Sequence, residues 1–163
     1  MINAVLDIKL LKPDEWPVLR TVRLRALGES PHAFMARYED EARLSAREWR
    51  QRLVTAVWAV AVESGEIIGL AGLVEGQQPH MEKHVESIWV APTHRCRGVF
   101  RSLLAALADE ARRTCLLELP LWVLEDNKIA LLAYSRLGFV ATGERQAIDS
   151  TRNRFERRLR LAL

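Results

Sequence analysis

Cysteine is scarce in this sequence, with two residues, Cys96 and Cys115, in a chain of 163. Neither their number nor their spacing suits a disulfide framework or a metal site, so we expect two reduced thiols and no bound metal. The sequence also lacks the run of about 18 apolar residues that a membrane-spanning helix needs. Residues 1–16 contain no basic segment followed by an apolar core and a cleavage site, which predicts a cytoplasmic protein.

Internal repeats and long linkers are also missing, and the one conspicuous polar tract is residues 75–82. With 49% apolar and 28% charged residues, the chain is large enough to bury a substantial core. We therefore expect a single α/β domain over residues 1–163. The formal net charge of +3 favours phosphorylated ligands but is far from a polybasic tail.

Hydrophobic periodicity and turn residues predict about seven strands and four helices. The strands are expected at 5–11, 57–62, 67–74, 84–90, 116–124, 139–148 and 154–163, and the helices at 14–27, 45–53, from 99 onward and at 127–137. In the last helix, Ile129, Leu132 and either Ala133 or Leu137 are expected to face inward. In the fourth strand, simple alternation puts Val85, Ser87 and Trp89 on one face. The same alternation puts Glu86 on the other face, with His84, Ile88 and Val90.

The junction between the fourth strand and the helix that starts near Val99 is the most informative part of the sequence. Pro92 ends the strand, and a helix start leaves about four backbone amides unpaired beside a partial positive charge. This arrangement suits a phosphate group. Gly98 lacks a Cβ that would keep a phosphate away, and Arg95 and Arg97 add positive charge. The same pattern also fits an ordinary turn with solvated arginines.

Two segments resemble motifs of the GNAT N-acetyltransferase superfamily. Residues 95–100, RCRGVF, resemble its acetyl-CoA pyrophosphate loop, in which Gln or Arg and two further residues precede Gly, one residue, and Gly or Ala. Residues 124–143, LEDNKIALLAYSRLGFVATG, resemble its segment with an asparagine, a helix, a tyrosine and Leu-Gly-Phe. SPHAF and the helix ending in EWRQRL extend the similarity towards the amino terminus.

The resemblance implies an α/β (α+β) fold. Its central, mixed and twisted sheet has about seven strands and is flanked by about four helices, with a splay between strands 4 and 5. One motif position departs from the family pattern, because Phe100 replaces a small residue. Its ring either packs against the protein and leaves its N–H available, or crowds the phosphates. Cys96 replaces a frequent glycine.

The implied function is transfer of an acetyl group from acetyl-CoA to a primary amine of a small molecule or peptide, by direct attack in a ternary complex. The alternative is a non-catalytic acyl-CoA-binding or regulatory domain. The implied coenzyme A contacts are the fourth strand, the loop and the asparagine, namely Ile88, Trp89, Val90, Arg95, Cys96, Arg97, Gly98, Val99, Phe100 and Asn127.

Two residues are candidates for proton transfer. The resemblance assigns Tyr134 to the leaving thiolate, which a tyrosine hydroxyl can protonate. It assigns Glu86 to removal of the proton from the amine, through water. Glu86 is equally compatible with a surface carboxylate paired to a cation, and His84 is a weaker candidate.

The acceptor side of the family is built by the first two helices and their connection. Phe34, Tyr38 and Glu39 are therefore candidate substrate contacts, although Phe34 also suits a packed hydrophobic lid. Four acidic residues could attract a cationic amine or could equally form a solvated acidic surface, namely Glu29, Glu39, Asp40 and Glu41. The identity of the acceptor stays open, as does dimerisation, which is common in the family.

The last strand carries a row of arginines, Arg154, Arg158 and Arg160. A nucleic-acid surface is one interpretation of such a row. No aromatic stacking residues are interleaved with it, so a solvated sheet face is favoured and no specific nucleic-acid partner is expected.

Overall fold

The computed structural model describes residues 5–76, 82–149 and 153–163, and these residues form one seven-stranded sheet with five α-helices. The strands are β1 (Leu6–Leu10), β2 (Val57–Glu63), β3 (Glu66–Val74), β4 (His84–Val90), β5 (Glu118–Leu124), β6 (Val140–Asp149) and β7 (Arg154–Ala162). The helices are α1 (Trp16–Glu29), α2 (Tyr38–Ala42), α3 (Ala46–Thr55), α4 (Val99–Arg113) and α5 (Lys128–Arg136). Three short 3-10 helices cover Pro13–Glu15, Pro31–Ala33 and Pro92–His94.

The sheet is mixed, with the strand order β1-β2-β3-β4-β5-β7-β6. Every neighbouring pair is antiparallel except β4 and β5, which are parallel. Val85 and Leu121 are the single residue pair that joins β4 to β5 in the described residues. The two strands therefore separate beyond Val85, which confirms the predicted splay between strands 4 and 5. Pro120 precedes Leu121, so it lies on the side of this pair away from the opening and pairs with Arg160 of β7.

Local sequence signals explain several element boundaries. Ser45 caps α3, because its hydroxyl accepts the Glu48 N–H at 3.3 Å while the Glu48 carboxylate accepts the Ser45 N–H at 2.7 Å. Ser64 and Gly65 join β2 to β3 with φ angles of 52° and 82°, as a tight hairpin turn requires. The turn and the cap agree with the strands predicted at 57–62 and 67–74 and with the helix predicted from residue 45.

Two details of the helices differ from the prediction. Helix α2 lies between the helices predicted at 14–27 and 45–53, where none was predicted, so the described residues contain five α-helices rather than about four. The predicted inward face of α5 is wrong for Ile129, which is 85% exposed, and for Leu132, which is 54% exposed, whereas Leu137 packs partly buried against the core. Tyr134 is the buried residue of this helix, at 8% exposure.

Helices cover both faces of the sheet. A Cβ added at Gly69 would lie 3.0 Å from the Leu103 side chain, which shows how closely α4 packs on one face. A Cβ at Gly72 would lie 3.0 Å from the Trp58 ring, on the opposite face. Helix α1 lies on this second face, where the Arg25 guanidinium carbon is 5.2 Å from the centre of the Trp89 ring.

A β-bulge at Ser87 changes which residues of β4 share a face. Gly72 of β3 pairs with Glu86, and Leu70 pairs with Trp89, so three steps along β4 match two along β3. Ser87 has the left-handed φ of 59° that this extra residue requires. The predicted alternation is therefore wrong, because Glu86 shares its face with Trp89 and not with Val90.

Candidate active site

The opening between β4 and β5 forms the floor of a large cleft, with a volume of about 1930 Å³. The Ala91 N–H donates to the Ile68 carbonyl of β3 at 2.8 Å. Backbone directions alternate along a strand, so the N–H groups of Val90 and Ile88 point away from β3 and towards the opening. The side chain of Trp89 is 3% exposed and belongs to the core.

The loop before α4 presents backbone amides at the rim of this cleft. Cys96 and Gly98 both have left-handed backbone conformations, with φ angles of 60° and 86°. The first intrahelical bond of the turn runs from the Ser102 N–H to the Gly98 carbonyl at 3.0 Å. The earlier amides of α4 thus have no helical acceptor, and a Cβ at Gly98 would meet no atom within 4 Å. The geometry fits an anion such as a diphosphate.

The two arginines of the loop are held by the protein. Arg95 donates from Nε to the Val90 carbonyl at 3.1 Å and from Nη2 to the Ser30 hydroxyl at 3.3 Å. Arg97 pairs with Glu63 at 3.1 Å, and the same carboxylate lies 3.4 Å from His94. Arg95 lines the cleft, whereas the charge of Arg97 is partly offset by Glu63.

The side chains of Val99 and Phe100 both pack against the protein. Val99 is 3% exposed and contributes to the core beside Gly69. The Phe100 ring lies 5.2 Å from the Tyr134 ring, centre to centre, at an interplanar angle of 56°. The Phe100 ring therefore packs against Tyr134 and also lines the cleft.

Tyr134 reaches the cleft from α5, between two aromatic rings. The centre of its ring is 5.3 Å from that of Phe139 as well as 5.2 Å from that of Phe100. Burial raises the pKa of the Tyr134 hydroxyl well above its ordinary value of 10, because a tyrosinate would lose its hydration there. The hydroxyl therefore stays protonated at neutral pH and can act as a proton donor.

Asn127 lies at the amino-terminal end of α5 and also lines the cleft. Its Oδ1 accepts the Ala130 N–H at 3.1 Å, so the residue caps the helix. The side-chain amide N–H₂ is not needed for the cap. It remains available as a donor on the cleft wall.

Glu86 lies on the cleft wall that faces α1 and α3. Its side chain is 45% exposed, and its carboxylate accepts the Ser87 hydroxyl at 3.3 Å. The His84 imidazole is 3.8 Å away. Glu86 is therefore open to water and to a ligand.

The three candidate substrate residues lie around two adjoining hollows. Phe34 lines both the large cleft and a smaller neighbouring hollow. Tyr38 and Glu39 line the smaller hollow and not the large cleft. The polar tract 75–82 contributes Glu75 to the cleft wall, while residues 77–81 lie outside the described residues.

Glu41, which was expected to help attract a cationic amine, belongs instead to a buried charged cluster that the sequence did not reveal. That expectation is wrong, because Glu41 is 6% exposed and pairs with Arg23 and Arg52, each at 3.0 Å. The available signal was Arg23, which occupies an inward position of α1 and is 5% exposed. A charged residue at a core position of a helix predicts a buried partner.

Comparison with known proteins decides the family. The family model described as "Acetyltransferase (GNAT) family" matches residues 17–139, which is more than half of the chain. The chain belongs to the GNAT acetyltransferase family.

The individual proteins to which this GNAT chain is similar are also named as acetyltransferases. It is 37% identical to N-alpha-acetyltransferase RimI of Mycobacterium tuberculosis over 87 residues, which are 53% of this chain and 53% of RimI. The matched chain thus spans about half the length of that curated relative. A GNAT acetyltransferase structure from Streptococcus pneumoniae has a TM-score of 0.78 at 19% identity, covering 98% of this chain and 100% of the other. YncA of Salmonella typhimurium, a putative acetyltransferase solved with acetyl-CoA, has a TM-score of 0.72 at 20% identity, covering 98% and 95%. These two similarities show the shared fold.

The arginine row on β7 of this GNAT domain is paired with carboxylates. Arg158 contacts Glu144 at 2.7 Å and Glu82 at 3.0 Å, and Arg160 contacts Glu118 at 3.1 Å. Arg154 lies 3.7 Å from Asp126. Because each arginine has a carboxylate nearby, the row is a poor match for a phosphate backbone.

Other features of the GNAT chain concern metals, thiols and membranes. In the part of the chain that the structure describes, no group of three or more His, Cys, Asp or Glu side chains could hold a metal ion. Cys96 and Cys115 are free and exposed. Among the described helices, none is both long and apolar enough to span a membrane.

Proposed function

We propose that this chain is an acetyl-CoA-dependent N-acetyltransferase that moves an acetyl group to a primary amine by direct attack in a ternary complex. One observation carries the proposal: the buried hydroxyl-bearing residue Tyr134 and the amide-rich loop at Gly98 meet at the same β4–β5 opening. Acetyl-CoA needs both kinds of group: a hydroxyl donor for its thioester sulfur and backbone amides for its diphosphate. The family and the relative RimI support the same reaction class.

The residues present fit coenzyme A. The left-handed Gly98 and the free amides of the first turn of α4 would hold the diphosphate, with Arg95 beside them. The amides of Ile88 and Val90 would hold the pantetheine and the acetyl carbonyl, with Asn127 on the opposite wall. When bound, acetyl-CoA supplies an activated carbonyl next to the amine, and holding the two together can lower the barrier by several kcal/mol.

Two side chains would move protons. Glu86 removes a proton from the acceptor ammonium, directly or through water, since an alkyl ammonium with a pKa of about 10.4 is otherwise not nucleophilic at neutral pH. Tyr134 donates a proton towards the departing thiolate. Neither step needs an acylated side chain.

The same proposal predicts the catalytic unit, the cellular location and the oligomeric state of the enzyme. Residues 1–163 would act as one catalytic unit, since a single sheet runs from Leu6 to Ala162. An enzyme that uses acetyl-CoA works where this thioester is made, so we place it in the cytoplasm. A homodimer remains a prediction.

Calorimetry with coenzyme A, followed by thiol release from acetyl-CoA with a panel of primary amines, tests the proposal. We expect coenzyme A binding, acetylation of at least one amine, and a fall in kcat of about 100-fold in Tyr134→Phe with little change in coenzyme affinity. The thermal unfolding of the variant should match the wild type. Binding without transfer to any amine would instead identify a non-catalytic acyl-CoA-binding domain. Absence of binding would reject both functions.

A further inference from the structure

The acceptor-side wall of the cleft contains a cluster that the proposed reaction leaves unused. We call Arg23, Glu41 and Arg52 the arginine cluster. Arg23 donates from Nε and Nη2 to the two oxygens of Glu41, at 3.1 Å and 3.0 Å. Arg52 donates from Nη1 to Glu41 at 3.0 Å. All three residues line the cleft.

The cluster has one positive charge more than its carboxylate offsets. Arg23 and Glu41 are 5% and 6% exposed, so bulk water does little to screen them. Arg52 is the member that solvent reaches, with a side chain that is 32% exposed. Its guanidinium carbon lies 4.8 Å from the centre of the Trp49 ring, which holds the group in place. The cluster thus presents a single, oriented cation to the cleft.

One donor of the cluster has no acceptor. Arg23 Nη1 is buried and lacks a hydrogen-bond partner among the described residues. Leaving a charged donor buried and unpaired is costly, and such groups in native proteins usually have a reason. The Phe34 ring covers the guanidinium, with 4.8 Å between the Arg23 Cζ atom and the ring centre. Contact between a ligand oxygen and Nη1 would require this ring to turn aside.

The arginine cluster and Glu86 line the same cleft. Trp58 of β2 pairs with Gly72 of β3, and Gly72 pairs with Glu86 of β4, so the three residues form one row on one sheet face. The Trp58 indole N–H donates to the backbone carbonyl of Arg52 at 3.2 Å, which places the α3 backbone beside that row. The two ends of the row are two strand spacings apart, or about 10 Å. This arrangement is compatible with a short ligand that contacts both the cation and the carboxylate.

We propose that the acceptor is an amine that also carries a carboxylate, with its carboxylate on Arg52 and Arg23 and its amino group towards Glu86. A monoanion matches the single uncompensated charge of the cluster, and guanidinium groups bind carboxylates through paired hydrogen bonds. This inference rests on the proposed acetyltransferase function for its amino end.

Matched amines test the inference. The carboxylate series is 3-aminopropanoate, 4-aminobutanoate and 6-aminohexanoate, and the control series is ethylamine, propylamine and pentylamine, which lack the carboxylate. Both series are measured for kcat/KM with acetyl-CoA and for binding to the protein saturated with coenzyme A, where no transfer occurs. The variants are Arg52→Gln and, as the matched control, Arg50→Gln, which lies on α3 but is exposed and outside the cleft.

We expect at least one carboxylate amine to exceed its control about 10-fold or more in kcat/KM and in binding, as charge-assisted hydrogen bonds suggest. Arg52→Gln should lower kcat/KM for the carboxylate amines more than for the control amines and so remove this preference, whereas Arg50→Gln should keep it. Equal or better use of the control amines, or no binding preference, would overturn the inference while leaving the acetyltransferase intact. Binding that depends on Arg52 without acetyl transfer would support the carboxylate site and reject the proposed function.

Discussion

The aromatic ring of Phe100 packs against that of Tyr134, with 5.2 Å between the ring centres. This contact joins the first turn of α4 to α5, so the amide-rich loop and the candidate proton donor are supported by one another. The residue that departs from the family motif thus has a structural role in the site. Its contact with Tyr134 keeps the hydroxyl group in a low-dielectric environment.

Tyr134 should ionise only at strongly alkaline pH. Burial raises its pKa above the ordinary value, so below pH 10 the residue is neutral in both folded and unfolded states. Above pH 10 the unfolded chain ionises first, and stability should fall. Absorbance of tyrosinate in a Tyr38→Phe variant, which leaves Tyr134 as the sole tyrosine, measures this directly. A midpoint at or below pH 10 would contradict the burial of the hydroxyl.

The backbone of the loop can be tested at Gly98 with Gly65 as a control. Both glycines have φ angles above 80°, and an added Cβ would meet no atom within 4 Å at either site. Gly98→Ala and Gly65→Ala should therefore each cost about 1 kcal/mol of unfolding free energy from backbone strain. Coenzyme A affinity, measured by calorimetry, should fall in Gly98→Ala alone. Equal affinities in the two variants would place the diphosphate elsewhere.

Glu86→Gln separates the proton-transfer hypothesis from that of a surface carboxylate. We expect kcat at pH 7 to fall by about 100-fold, because the amine keeps its proton. The rate of the variant should then rise steadily as the pH approaches the amine pKa of about 10, since free amine forms without help. The measurement is a pH–rate profile with coenzyme A affinity as the control. A variant with a wild-type profile would leave Glu86 without a role in proton transfer.

The arginine cluster should make stability depend on pH in the acid range. Burial would raise the Glu41 pKa, but hydrogen bonds and charges from Arg23 and Arg52 outweigh it, so the folded-state pKa is lower than usual. A lowered pKa stabilises the fold above the unfolded-state value of about 4.3, and this contribution is lost as pH falls through the folded-state pKa. Glu41→Gln should cost roughly 3 kcal/mol at pH 7, since a buried arginine loses its partner.

Thermal unfolding between pH 6 and pH 3 checks the prediction for Glu41. The acid-induced fall in Tm should be smaller in Glu41→Gln than in the wild type. Glu39→Gln is the matched control, because Glu39 lies on the same helix and its side chain is 62% exposed. If both variants behave alike, the buried ion pair does not control acid stability.

Much of the fold could be predicted because its signals are local. The capping box at Ser45, the hairpin turn at Gly65 and the helix stop at Gly138, whose φ is 92°, depend on residues only a few positions apart. The position of Tyr134 followed from a family motif of similarly short range. The predicted inward face of α5 was wrong because the helix packs through Tyr134 while Ile129 and Leu132 remain exposed, and neighbouring elements decide that choice.

By itself, the sequence determined the order of the strands and helices along the chain, the glycine-bearing loop before α4 and the residue types available for acetyl transfer. The tertiary structure alone decided which of these side chains face the same space. A single extra residue at Ser87 moved Glu86 to the face of Trp89, because side chains alternate with a period of two and one bulge reverses the pattern. Residues far apart in the chain, Arg23 and Glu41 on α1 and α2 and Arg52 on α3, became one charged cluster only when the helices packed together.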